Sequence, residues 1–280
     1  MPGILVAALF ATALPNGVVL RPVANLYSKP SRDADVVSQA IYASNVAILE
    51  QQGDWVHVRT FDDYAGWMPG SELKAGPAYA AAGRVAEVRS MFAHLYREAS
   101  VTKHEPLLTV PMETRLAVDP DSLGADEGNE WVAVRLPDHR TGYIQRGDVT
   151  FDPPKLTVPE MLEFAKRFIG LPYTWGGVST FGYDCSGFVQ MLERQRGVMM
   201  PRDAQPQADW SGQTAVGHKN LAPGDLLYFG SSAEHITHTG IYLGGGKFIN
   251  ATTYQTPTVH VDSLDDPHFA RILVAMRRPK

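Results

Sequence analysis

Two stretches of the chain, residues 23–73 and 91–149, repeat one another. Ala24, Leu26 and Tyr27 recur as Ala93, Leu95 and Tyr96 at an offset of 69. Further on, Asp54-Trp-Val-His-Val-Arg59 recurs as Glu130-Trp-Val-Ala-Val-Arg135, and Gly66-Trp-Met68 as Gly142-Tyr-Ile144, both at an offset of 76. The difference of seven fits one longer loop at residues 119–129. A repeat of this period marks one supersecondary unit used twice. Each copy alternates apolar and polar residues over short runs, such as Trp55 to Arg59, between turn residues that include Asp62, Asp63 and Gly66, and this predicts two small β-barrels. Trp55 and Trp131 are expected to pack in those barrels. Tyr64 falls in the turn region of residues 61–66, where side chains more often meet ligands.

Punctuation around the repeats divides the chain. Residues 75–83 read as a linker rich in Ala, Gly and Pro, and the prolines at 153 and 154 cannot continue a central strand. The reading is therefore a leading segment at 1–17, a barrel at 18–77, a second at 78–153 and a further domain at 154–280. The leading segment holds an apolar run too short to span a bilayer, with Ala11 and Ala13 resembling a signal-cleavage site and without a basic start. A periplasmic or cell-wall address is the expectation, with the cytoplasm as the alternative. Lys and Arg number 25 against 30 Asp and Glu, a net charge of -5, without a basic cluster. That balance argues against nucleic acid and against stable membrane insertion, and a monomer is expected. One cysteine excludes an internal disulfide framework.

That cysteine carries the chemistry of residues 154–280. Thr157 and Glu160 form a capping-box pattern that opens a helix with apolar Met161, Leu162, Ala165, Phe168 and Ile169, ended by Gly170. A glycine-containing loop with Tyr173, Trp175, Gly176 and Gly177 leads to Asp184 and Cys185. Phe188, Val189, Met191 and Leu192 then suit an amphipathic helix closing at Gly197. Cys185 thus sits at a helix N-terminus, where the dipole is expected to favour thiolate. Downstream, residues 238–243 and 247–251 alternate around three glycines and read as a hairpin. If the glycines form the loop and Leu243 pairs with Lys247, His238 and Asn250 become diagonal neighbours on one face; a two-residue loop would separate them. Cys185, His238 and Asn250 then supply nucleophile, base and orienting group in the order that thiol chemistry requires. His235 and His238 resemble a metal-ligand pair, but i and i+3 face opposite ways on a strand and nothing completes the set, so neither metal nor cofactor is expected.

Asp-Cys-Ser-Gly-Phe at 184–188, His-x-Gly-Ile-Tyr-Leu-Gly at 238–244 and Gly-Lys-Phe-Ile-x-Ala at 246–251 resemble the NlpC/P60 family of papain-like cell-wall cysteine peptidases. The repeated Trp-x-x-Val and Gly-Trp or Gly-Tyr pattern resembles the bacterial SH3 modules that accompany such enzymes. The resemblance implies an α+β fold, a papain-like catalytic domain preceded by two all-β SH3-like barrels. It implies hydrolysis of γ-D-glutamyl-diamino acid bonds, with diaminopimelate or Lys as the diamino acid, in peptidoglycan-derived peptides carrying a free N-terminal L-alanine. It also assigns residues. The Cys185 amide and the Tyr173 hydroxyl become oxyanion donors, and Asp184, Ser186 and Asp203 match the pocket for the substrate amine, joined by Tyr64 from the first barrel. Asp35 is a weaker candidate for that pocket, and the N-cap of the Cys185 helix is the other role open to Asp184. Two departures stand out: Asn250 replaces the usual histidine, and Ala204 replaces a serine. The rival expectations are a wall-binding protein with a weakly active site and an acyl transferase using the same three residues.

Overall fold

The structure is a computed structural model that describes residues 16–120 and 130–280. The apolar leading run and most of the 119–129 loop therefore lie outside the described residues.

Seven antiparallel strands between Asn16 and Ala75 make the first barrel, in the spatial order Val36–Ile41, Val23–Tyr27, Ala65–Pro69, Trp55–Arg59, Asn45–Gln52, Asn16–Val19, Leu73–Ala75. Its first strand begins at Asn16, inside the segment set aside as 1–17. Strict alternation builds the core: along Trp55–Arg59, Val56 and Val58 point inward to meet Leu26 and Met68. In the second barrel a five-stranded sheet runs Thr141–Gln145, Trp131–Arg135, Arg115–Val118, Val85–Val88, Val149–Thr150, completed by the pair Leu108–Pro111 and Phe92–Leu95. The repeat has a structural cause. Tyr27 bridges Trp67 and meets the Trp55 ring edge-on at 5.4 Å, while Tyr96 bridges Tyr143 and meets Trp131 edge-on at 5.4 Å. Each barrel keeps the same aromatic pair, a contact worth about 0.5–1.5 kcal/mol beyond its buried area.

Residues 213–279 supply a six-stranded antiparallel sheet in the order Gln213–Ala215, Leu273–Pro279, Leu226–Ser232, His235–Gly244, Lys247–Thr252, Thr258–Ser263. One face, with Leu226, Tyr228, Ile241 and Ile249, packs on helices α1 (Val158–Ala165) and α2 (Cys185–Gln195). The other, with Leu227, Phe229 and Phe248, packs on Phe269 of a short helix, Pro267–Ile272. The capping box at α1 forms: the Glu160 carboxylate accepts from the Thr157 amide at 2.8 Å and its hydroxyl at 2.6 Å.

Helix α2 departs from the amphipathic expectation, since every residue from Cys185 to Glu193 is buried. The cause is that both barrels close over the side the sheet leaves open. Gln190 donates to Asp62 of the first barrel at 3.0 Å, and Arg194 forks onto Glu113 of the second at 3.1 and 2.6 Å. Met112, 1% exposed, enters the catalytic core itself, and its amide donates to Thr180 Oγ1 at 3.2 Å. The 75–83 connection is also tied down: the Tyr79 amide donates to Asn45 at 2.7 Å and its hydroxyl accepts from Ala117 at 2.9 Å.

Candidate active site

Cys185 is the first residue of α2, and two close backbone approaches put it there. A Cβ at 187 would overlap the Gly177 carbonyl oxygen, and a Cβ at 177 would overlap that of Gly182, so glycine at these positions lets the loop seat against the helix start. Asp184 is the N-cap, its Oδ1 accepting from the Gly187 amide at 2.7 Å. Cys185 is 8% exposed, and burial together with the Asp184 carboxylate pushes its thiol up to about 12; the Thr239 and Ser186 amides and Arg202 oppose the shift. The thiolate-favouring effect expected of the helix dipole is outweighed here. Desolvation wins, so Cys185 depends on a base to remove its proton.

The base stands on the adjoining strand. The Thr239 amide that reaches the Cys185 sulfur follows His238 directly. His238 packs against Phe229 and Phe269, with ring centroids at 5.5 and 6.1 Å, and burial lowers it to about 4. Its Nε2 lies 2.7 Å from Asn250 Oδ1. The hairpin reaches this arrangement by an unexpected route. Ile241 pairs with Ile249 and Tyr242 with Phe248, as the three-glycine loop predicts, but Gly244 rather than Leu243 pairs with Lys247. The turn is thus two residues long, and a bulge at Leu243 restores the parity that puts His238 and Asn250 together.

Tyr173 is half-buried, and burial, then the neighbouring Cys185 and Asp184, raise its phenol, which stays protonated as a donor. Asp184 and Ser186 are already engaged. Arg202, 2% exposed, donates to both Asp184 oxygens at 3.0 and 2.5 Å and to Ser186 Oγ at 2.9 Å, and Ser186 donates to Asp184 at 3.3 Å. Asp184 thus fills the N-cap role left open by the sequence, with Arg202 as its ion-pair partner. Asp203 and Tyr64 meet across the domain boundary instead: Tyr64 Oη donates to Asp203 Oδ2 at 3.1 Å. Burial raises both, Tyr64 to about 12 with Asp203 adding to it. Asp35 is exposed, beside Val36, whose carbonyl accepts from Trp175 Nε1 at 2.9 Å. Ala204 is buried at the start of a short helix, Ala204–Asp209.

Two residues beside the site escaped the sequence reading. Arg202 stood in a loop without periodic signal, and Asp262, which accepts from Asn250 Nδ2 at 2.9 Å, stood on an unassigned strand. A separate cavity of about 560 Å³ opens where the three domains meet, lined by residues such as Phe61, Met199, Glu113 and Arg194. Two of its acids pair with two of its bases, Glu113 with Arg194 and Glu87 with Arg115. Among the described residues, no group of three or more His, Cys, Asp or Glu side chains is placed to share a metal ion, and no helix is long and apolar enough to cross a membrane.

Comparison with known proteins adds an independent line. Residues 170–278 match the NlpC/P60 family model, and residues 26–73 match a bacterial dipeptidyl-peptidase SH3 domain. The chain is 30% identical over 262 residues to a gamma-D-glutamyl-L-lysine dipeptidyl-peptidase of Bacillus cereus, covering 86% of this chain and 74% of that protein. It is 28% identical to dipeptidyl-peptidase 6 of Lysinibacillus sphaericus, covering 90% and 93%. The crystal structure of an NlpC/P60 family protein from Bacillus cereus superposes with a TM-score of 0.81 at 25% identity, over 94% of this chain and 99% of that one.

Proposed function

We propose, because this chain belongs to the NlpC/P60 family and is a cysteine peptidase, that it hydrolyses the γ-D-glutamyl bond to a diamino acid in peptidoglycan stem peptides whose L-alanine amine is free. The observation that carries this reading is the Tyr64–Asp203 contact at 3.1 Å. It sets a phenol of the first barrel on an acid of the catalytic domain, and this supports a site walled at one end that takes a peptide terminus. Asp203 lies in an acid-rich setting, with Asp184 and Asp62 opposing its ionisation and Arg202 favouring it. An ammonium arriving there meets a carboxylate and a phenol oxygen, the partners a buried cation needs.

The chemistry follows from the protonation states. Asn250 Oδ1 can only accept, so His238 Nε2 carries the ring proton and Nδ1 is free. Nδ1 takes the Cys185 proton as sulfur bonds to the γ-carbonyl carbon. The oxyanion is met by the Cys185 amide and the Tyr173 hydroxyl, donors worth on the order of 3 kcal/mol each at such sites. Collapse breaks the C–N bond, and the departing amine takes the proton from His238. Water, deprotonated by His238, then cleaves the thioester and regenerates the thiol.

The test compares L-Ala-γ-D-Glu-diaminopimelate with its N-acetyl form, following release of the diamino acid. Acetylation is expected to lower kcat/KM by on the order of a hundredfold or more, because it leaves Asp203 without its cation. Equal rates for the two peptides would overturn the free-amine requirement.

A further inference from the structure

We infer that Asp262 is a positioning residue for hydrolysis: it holds the Asn250 amide in the one orientation that gives His238 a free Nδ1 for the Cys185 proton. The inference rests on the roles proposed above for Cys185, His238 and Asn250.

Strand register brings these residues together. Asn250 faces His260 directly and Phe248 faces Asp262, so Asp262 is a diagonal neighbour of Asn250 on the strand at the sheet edge. His238 is its diagonal neighbour on the opposite side. Three adjacent strands thus line up His238, Asn250 and Asp262 on one face. The contacts fit this line. Asn250 Oδ1 lies 2.7 Å from His238 Nε2, while Nδ2 donates to Asp262 Oδ2 at 2.9 Å and to the His260 carbonyl at 3.3 Å.

An amide in this place has two orientations, and the surroundings permit one. Turned over, Asn250 Oδ1 would face a carboxylate and a carbonyl, two acceptors with no proton between them. Its NH2 would face His238 Nε2 and force the ring proton onto Nδ1, leaving no lone pair there to receive the thiol proton. Asn250 is fully buried and the Asp262 side chain is 14% exposed, so solvent screens the interaction little. His260 Nε2, 3.1 Å from the same Asp262 oxygen, steadies the carboxylate. A neutral amide in the third position thereby carries the polarity of the carboxylate behind it.

The test is ¹⁵N NMR of the His238 ring, read together with steady-state kinetics, on the full chain and on Asp262→Asn. The native protein is expected to hold one neutral tautomer, with the proton on Nε2. Asp262→Asn can donate as well as accept, so both tautomers should appear, with kcat lowered on the order of ten- to a hundredfold and KM little changed. Asp262→Glu, which keeps the charge, is expected to restore the single tautomer, and Asp262→Ser serves as the neutral variant if Asp262→Asn does not fold. A single Nε2–H tautomer with unaltered kcat in a folded neutral variant would overturn the positioning role. Turnover that survives Cys185→Ala would instead overturn the underlying assignment of the nucleophile.

Discussion

Replacing Arg202 by Met removes five hydrogen bonds at once: two to Asp184, and one each to Ser186, Ser38 and the Gly177 carbonyl. Methionine fills much of the volume, so the loss is electrostatic rather than a cavity. What remains is a carboxylate 7% exposed whose cation is gone. Breaking a buried ion pair from one side typically costs about 3–5 kcal/mol. Asp184 keeps the Gly187 amide and the Ser186 hydroxyl, so the lower end, about 3 kcal/mol, is the expectation here. The assay is urea unfolding of the native protein, Arg202→Met, Asp184→Asn and the double variant. Since neutralising Asp184 removes the unpaired charge, the double variant should regain more than about 1 kcal/mol over the sum of the singles. A cost below about 1 kcal/mol for Arg202→Met, or strict additivity, would refute the reasoning.

Further outcomes follow from the same geometry. With burial holding His238 near 4 and Cys185 near 12, the acid limb of kcat/KM should fall well below the ordinary imidazole value of 6.5, and the alkaline limb should track the substrate α-amine near about pH 8; an acid limb at or above 6.5 would contradict the burial argument. Burial raises Glu193 from 4.5 to about 7, so the native state keeps a proton that the unfolded chain has lost, and stability should fall as pH rises between these values by about 3 kcal/mol. In Glu193→Gln that decline of Tm from pH 5 to pH 8 should vanish, as calorimetry can check. Met112→Ala should cost about 2–5 kcal/mol in urea unfolding, although Met112 belongs to the second barrel, because it fills the catalytic core; a cost below about 1 kcal/mol would mean the barrel is not docked through it.

Much of this organisation was legible because its signals are local or periodic. The barrels repeat since Tyr27 and Tyr96 each need a Trp to meet edge-on and a partner strand to bridge. The hairpin parity was readable in spite of a wrong loop length, because two errors of one residue, turn and bulge, cancel. What escaped depends on distant chain. The helix dipole at Cys185 is a local signal, whereas the burial that raises its thiol comes from elements far away in sequence. All-round burial of α2 comes from Asp62 and Glu113, more than 80 residues upstream of the side chains they meet. Arg202 gave no sign in its loop, since its partners Ser38, Gly177 and Asp184 converge only in three dimensions. Asp262 needed the register of the strand after Asn250, and the turn between Thr252 and Thr258 offers no loop length from which to count it.

The central claim, a peptidase whose Cys185 carries an N-terminal γ-glutamyl dipeptide, is tested most directly by intact-protein mass spectrometry of samples quenched in acid during turnover of L-Ala-γ-D-Glu-diaminopimelate. The account predicts a transient adduct of the L-Ala-γ-D-Glu acyl group, mapped to Cys185 and absent from Cys185→Ala. Turnover by the native protein without any adduct on this residue, cleavage that survives in Cys185→Ala, or an acyl group mapped elsewhere would contradict it.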